Sequence, residues 1–113
     1  MGMNISFEGF HEGLLTFAAQ ENVQAGDLVC IAEDGTVAKA ELGQMVAGVV
    51  RSVRGGFAGV QLCGYASVAA DAAVTTGWQT LVCDGENGLV ADEGGRQLLV
   101  LWANNGRAGV VLG

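Results

Sequence analysis

The sequence predicts an all-β fold, a small β-sandwich or β-barrel with an internal pseudo-repeat. Three observations carry that expectation. Leu28-Val29-Cys30-Ile31-Ala32-Glu33-Asp34-Gly35-Thr36-Val37-Ala38 returns as Leu81-Val82-Cys83-Asp84-Gly85-Glu86-Asn87-Gly88-Leu89-Val90-Ala91, with seven of eleven positions identical and no gap. Short Val-, Ala- and Leu-rich runs alternate with glycine-containing turns along the whole chain, as strands joined by hairpins do. The chain has 19 glycines and no proline, against an average of about 5% proline, so its turns rest on Gly, Asn and Asp.

The match extends downstream. Gln44-Met45-Val46 aligns with Gln97-Leu98-Leu99, and Ala58-Gly59-Val60-Gln61-Leu62 with Ala108-Gly109-Val110-Val111-Leu112. The pseudo-repeat therefore spans about residues 26–64 and 79–113, with residues 71–77 as the connection. At 113 residues the chain is one domain by size. Residues 14–113 form its β body and residues 1–13 an N-terminal arm.

The elements follow in order. In the arm, Phe7, Phe10 and His11 stand among glycines and glutamates. It reads either as a flexible terminus or as a segment that orders against a partner through its two phenylalanines. Residues 14–19 read as the first strand. Gly26-Asp27 signals a turn before the run from Leu28, and Asp34-Gly35 a type I′ hairpin. Residues 45–50 are apolar on both faces, as in a strand packed on two sides. Residues 51–56 read as a turn. In 57–63, Ala58, Val60 and Leu62 alternate onto one face. Gly64 marks a bend, and 65–70 continues the first half. Residues 78–83 begin the second half, Asn87-Gly88 and Asn105-Gly106 supply hairpin turns, and 97–103 and 108–112 are the last strands. Nine or ten short strands at this spacing describe a sandwich or barrel.

Composition narrows the function. A net charge of −7 with only five basic residues excludes the basic face that nucleic-acid binding requires. No run approaches the roughly 18 apolar residues of a membrane span. The first residues lack the basic and apolar regions of a signal peptide. Cys30, Cys63 and Cys83 lie in apolar strand patterns without a Cys-x-x-Cys pair, which assigns them to structure rather than to metal. Cys30 and Cys83 occupy aligned repeat positions, where a pseudo-twofold axis would bring them together.

Nothing in the sequence assembles catalytic chemistry. His11 is the one imidazole and sits in the arm, the serines lack a nucleophile elbow, and the carboxylates lie mostly in turns. Asp84, Glu86 and Asn87 lack the spacing of a calcium loop. We expect no enzyme and no cofactor. Trp78 and Trp102 suit packing in a core or interface, or else stacking on a ligand. Acidic turns (Asp34, Asp84, Glu86, Asp92, Glu93) contrast with basic ones (Arg51, Arg54, Arg107), and alternating hairpins would sort them to opposite ends. The candidate partner contacts are Phe7, Phe10, Arg54 and Arg107.

Four motifs occur in a fixed order: Ala25-Gly26-Asp27-Leu28-Val29, then Asp34-Gly35-Thr36-Val37, then Gly48-Val49-Val50, then Ala58-Gly59-Val60-Gln61-Leu62-Cys63-Gly64. Leu81-Val82-Cys83-Asp84-Gly85 and Leu99-Val100 follow. In this order the chain resembles a family of small phage and prophage proteins over residues 14–113. The resemblance implies a capsid decoration, or head-stabilising, protein or a related virion structural protein. It implies a compact β fold that forms homo-oligomers, with a trimer favoured, and binds the major capsid protein. It places the protein on the virion surface, and in the bacterial host cytoplasm before assembly. The alternatives are a ligand- or carbohydrate-binding β-module and a tail or baseplate component.

Overall fold

The computed structural model describes residues 13–112. Ten strands follow in chain order: β1 (Leu14–Ala19), β2 (Leu28–Glu33), β3 (Thr36–Lys39), β4 (Gly48–Arg54), β5 (Phe57–Gln61), β6 (Tyr65–Ala70), β7 (Gly77–Cys83), β8 (Gly88–Ala91), β9 (Arg96–Asn104) and β10 (Arg107–Val111). The all-β barrel expectation holds, and each copy of the pseudo-repeat is a whole barrel. Strands β1-β3-β2-β4-β5 close into one barrel, and β10-β6-β8-β7-β9 into a second. Each pairing of the first recurs in the second, including a parallel contact of β1 with β3 and of β6 with β8. Closure removes the unpaired edges that strands this short would otherwise expose.

The structural repeat reaches further upstream than the sequence match. It begins with β1 in one barrel and β6 in the other, and the boundary falls at residues 62–64. Residues 65–70 therefore open the second barrel instead of continuing the first, and residues 71–77 form a loop inside that barrel. Sequence alone misses this because β1 and β6 share only their last two alanines, Ala18-Ala19 and Ala69-Ala70.

The register also differs by one residue from the ungapped match. Gln20 N–H donates to Val37 C=O at 3.1 Å, and Asp71 N–H to Leu89 C=O at 2.8 Å. Val37 thus corresponds to Leu89, not to Val90. Across the hairpins Ile31 faces Val37 and Cys83 faces Leu89. The structural counterpart of Cys83 is therefore Ile31, and that of Cys30 is Val82.

Turn chemistry explains several shifted boundaries. Gly55-Gly56 (φ 56° and 82°) and Asn105-Gly106 (φ 53° and 75°) are two-residue turns with positive φ at both positions, as type I′ requires. Because Gly55-Gly56 alone turns the chain, β4 runs through residues 51–54, expected as a turn, and starts at Gly48, leaving Met45 in an exposed loop. At Asp34-Gly35 only the glycine has positive φ, and the register shifts between Ile31 and Glu33. That turn is bulged, not type I′. In the β7–β8 connection Asn87 has φ 66°, while Asp84 Oδ1 accepts the N–H groups of Glu86 (2.7 Å) and Gly88 (3.0 Å). It is a longer loop built around Asp84, not a two-residue Asn-Gly turn.

The barrel interiors are filled by Val, Ala and Leu, the sizes that fit a five-stranded lumen. Val29, Val37, Val50, Ala58 and Val60 fill the first, with Val23 from the β1–β2 loop beside them. Leu81, Leu89, Val100, Ala108 and Val110 fill the second, with Val74 at the equivalent loop position. Ala58, Val60 and the half-buried Leu62 face inward as expected from their alternation.

Leu28, Ala40, Val46 and Val49 belong to the first barrel yet pack into the cluster of the second. Burying side chains such as Leu28 and Val49 stabilises the join by about 1.5–3 kcal/mol each. Polar contacts fix its geometry. Leu28 N–H donates to Asn87 Oδ1 (2.7 Å), and Asn87 Nδ2 donates to Asp27 Oδ1 (3.1 Å). Arg96 Nη1 donates to the carbonyls of Val46 (3.0 Å) and Ala47 (3.3 Å), and its Nη2 to Leu112 C=O. Buried Gln61 donates from Nε2 to Cys63 C=O (2.9 Å) and Tyr65 C=O (2.8 Å), which holds the short linker between barrels.

Glycine adopts φ 66° without strain, so Asn87→Gly removes only the side chain. We expect a loss of about 1–3 kcal/mol, because Leu28 N–H loses its partner in the join. Asn105→Gly, at an equally left-handed position in the outer β9–β10 hairpin, should stay within about 0.5 kcal/mol of wild type. Paired urea denaturation curves check the difference.

Candidate functional site

The second barrel carries an apolar row on its outer surface. Tyr65 on β6 pairs with Val111 on β10, Val111 with Leu99 on β9, and Leu99 with Trp78 on β7. Paired residues share a sheet face, so four side chains line up across four strands. Their neighbours Ala66, Val110, Leu98 and Val100 point inward and are buried. Trp78 is 65% exposed and Tyr65 50% exposed.

Two further residues widen the row. The register shift between Gly109 and Val110 leaves Leu101 unpaired on β9, where it is exposed. Trp102 lies opposite Gly109, and its ring occupies the space where any Cβ at position 109 would sit. Its Nε1–H donates to Tyr65 Oη at 2.9 Å. This bond fixes both rings, so the surface is presented at low entropic cost to a partner.

The first barrel shows what this face is for in its own copy. There the row in the same strand order is Leu14, Gln61, Val49 and Leu28. Strand β2 is set two residues along β4 relative to β7 on β9, so Leu28 holds the place of Trp78 in the row although its counterpart across the hairpin is Thr80. Val49 and Leu28 are only 2% and 1% exposed, because the second barrel covers them. At the bulge, Arg51 and Ser52 stand where the second barrel has Leu101 and Trp102. The sequence pointed to Trp78 and Trp102 as packing or ligand residues, and both are surface residues. It missed Tyr65, Leu99 and Leu101, which strand alternation alone assigns to no face until the bulge and the barrel boundary are known.

Of the four predicted contact residues, Arg54 and Arg107 line separate grooves. Phe7 and Phe10 lie outside the described residues. Arg54 ends β4 opposite Phe57, beside a groove of about 540 Å³ that Thr16 and Ser52 also line. Arg107 begins β10 and donates from Nη2 to Ser67 C=O at 2.9 Å. It shares a cleft of about 460 Å³ between the barrels with Arg51, Asn87 and Glu86. An acidic-loop residue thus lines one cleft with two arginines, and turn charges are not sorted to opposite ends there. Arg51, whose Nε donates to Gln61 Oε1 at 2.7 Å, is the arginine that joins Arg107.

The cysteines are free thiols. Cys30 and Cys83 both lie against the 40–44 loop although they are not structural equivalents. Cys30 Sγ donates to Gln44 Oε1 at 3.3 Å, and Cys83 Sγ to Ala40 C=O at 3.4 Å. Burial pushes the Cys30 thiol above its ordinary value of 9.0, and the nearby Glu41 and Cys83 add to the effect. Among the described residues, no three His, Cys, Asp or Glu side chains group as a metal site.

No family model, curated protein or solved structure matches the chain.

Alkylation should follow this geometry. Exposed Cys63 should react first, and buried Cys83 only on unfolding. Cys30 should label slowly until the pH passes the ordinary thiol range. An acid whose folded-state pKa is raised favours folding in its neutral form, so the Cys30 contribution is intact at pH 7 and is lost as pH rises above about 9. Mass-spectrometric mapping of labelled cysteines over a pH series, beside urea curves for wild type and Cys30→Ala, checks both.

Proposed function

We propose that this protein is a non-enzymatic phage or prophage virion structural protein, a capsid decoration protein that stabilises the head by binding the major capsid shell. The observation that carries the reading is a tandem of closed barrels with an apolar, hydrogen-bonded aromatic face left uncovered on its surface. A cement protein has to bury surface between subunits and hold its shape under load. It has no need of a reacting group. The ordered motifs of residues 25–64 and 81–100 point the same way through their resemblance to phage and prophage proteins. In this reading Phe7, Phe10, Arg54 and Arg107 engage the shell, and the barrels form the body of the oligomer.

Co-sedimentation with shells of the cognate major capsid protein tests the reading. The wild-type chain should pellet with the shells. The double variant Arg54→Glu/Arg107→Glu should bind at least tenfold more weakly, about 1.4 kcal/mol, and Phe7→Ala/Phe10→Ala should do likewise. Wild type that stays in the supernatant overturns the proposal.

The hydrogen-bonded Tyr65–Trp102 pair beside exposed Trp78 also favours a second reading, a carbohydrate- or ligand-binding module. Sugars stack on such platforms and perturb tryptophan emission. A glycan array with fluorescence titration should show a saturable shift under this reading and none under the first.

A further inference from the structure

The join between the barrels has two halves, and the duplication supplies a second, uncovered copy of each. One half is a face: the outer row Leu28–Val49–Gln61 of the first barrel, buried in the join. The other is a hairpin: the β7–β8 connection of the second barrel, whose Asn87 bonds to Leu28 of that face and whose Cys83 bonds to the adjoining 40–44 loop. Its contacts are the bonds from Leu28 N–H to Asn87 (2.7 Å), from Gly43 N–H to Cys83 C=O (2.8 Å) and from Cys83 N–H to Gln44 C=O (2.9 Å).

The apolar part of each half has an uncovered counterpart, with Gly35 in the place of Asn87 and a four-residue β8–β9 connection where β3–β4 has eight residues. The second barrel's own face is the row Trp78–Leu99–Val111–Tyr65. The first barrel's own hairpin is β2–β3, where Ile31 takes the place of Cys83. Cys83 is wholly buried by the join, whereas Ile31 is 51% exposed. An apolar side chain thus waits at the hairpin, and an apolar row waits at the face. They lie on different barrels of one chain, which cannot bring them together as its own barrels already meet.

We propose that these two surfaces join different copies of the chain head to tail: the β2–β3 hairpin of one copy, led by Ile31, docks on the Trp78–Leu99 row of the next. The occupant of the aromatic face is therefore a second copy of this protein, and the contact continues the interface that already joins the barrels. Such an interface is heterologous. It leaves a free hairpin at one end and a free face at the other until the assembly closes into a ring or runs on as a filament. The inference rests on the self-association in the proposed function and not on the identity of the shell.

The experiment uses two surface variants, Ile31→Glu and Trp78→Glu, with circular dichroism confirming that both stay folded. Mass in solution is read by light scattering at about 100 µM, a concentration at which an interface of micromolar affinity is filled. Wild type should be oligomeric and each variant alone monomeric. Mixed in equal amounts, the variants should form a dimer of twice the 11.5 kDa chain mass, because the Trp78→Glu chain keeps its hairpin and the Ile31→Glu chain keeps its face. A monomeric wild type, an oligomer that either substitution leaves intact, or a mixture that stays monomeric would each overturn the proposal. Shell co-sedimentation of the same samples is read separately, so a chain that binds shells yet never self-associates sinks this inference and leaves the decoration reading standing.

Discussion

Barrel closure is the constraint on which everything else depends. Strands of four to nine residues bury too little to stand as open sheets. Closing five of them around a narrow lumen leaves room for Val, Ala and Leu and for little else, which is why half the residues are hydrophobic but few are aromatic. Among the described aromatic side chains, Phe17 alone packs against a barrel core. Trp78, Trp102, Tyr65 and Phe57 all stand on outer surfaces, and the functional reading begins from where they stand.

Much of this was legible from the residues. Gly26-Asp27, Gly55-Gly56 and Asn105-Gly106 mark turns by their chemistry, and the alternation of Ala58, Val60 and Leu62 marks an inward face. The eleven-residue repeat signalled duplication. What escaped was long-range. The parallel pairing of β6 with β8 makes residues 65–70 the first strand of a second barrel, and no local pattern encodes that choice. The one-residue offset escaped for a related reason. Identity at Cys30 and Cys83 favoured the ungapped alignment, while the hydrogen bonds from Gln20 to Val37 and from Asp71 to Leu89 set the structural one. The candidate surface was legible only in part, since an exposed tryptophan and a buried one look alike until the sheet faces are known.

The two barrels have kept their lumens and changed their exteriors. Interior pairs such as Val50 and Val100, Ala58 and Ala108, and Val60 and Val110 are identical. Outside, Arg51 and Ser52 face Leu101 and Trp102 across the repeat, and Ile31 faces Cys83. The lumen tolerates only small changes in volume, whereas each outer surface answers to what covers it. Duplication followed by this division lets one backbone plan supply both a covered and an uncovered version of the same contact.

The parallel contacts carry a dynamic consequence. Each barrel is sealed by a seam registered over only two residue pairs, Ala18–Thr36 with Ala19–Val37 in one and Ala69–Gly88 with Ala70–Leu89 in the other. The antiparallel ladder between β1 and β5 is longer, with five registered pairs. Local opening follows the line of fewest bonds, so the second barrel unzips first between β6 and β8 and becomes a curled sheet still joined elsewhere, whereas in the first barrel the β2–β4 ladder, also of two pairs, is as short as the β1–β3 seam. Amides donating across the β6–β8 seam, that of Asp71 among them, then exchange with solvent ahead of the ladders around them. The tandem barrel is therefore two cylinders, of which the second has a single latch in its first strand, β6, and the first has two seams of equal length.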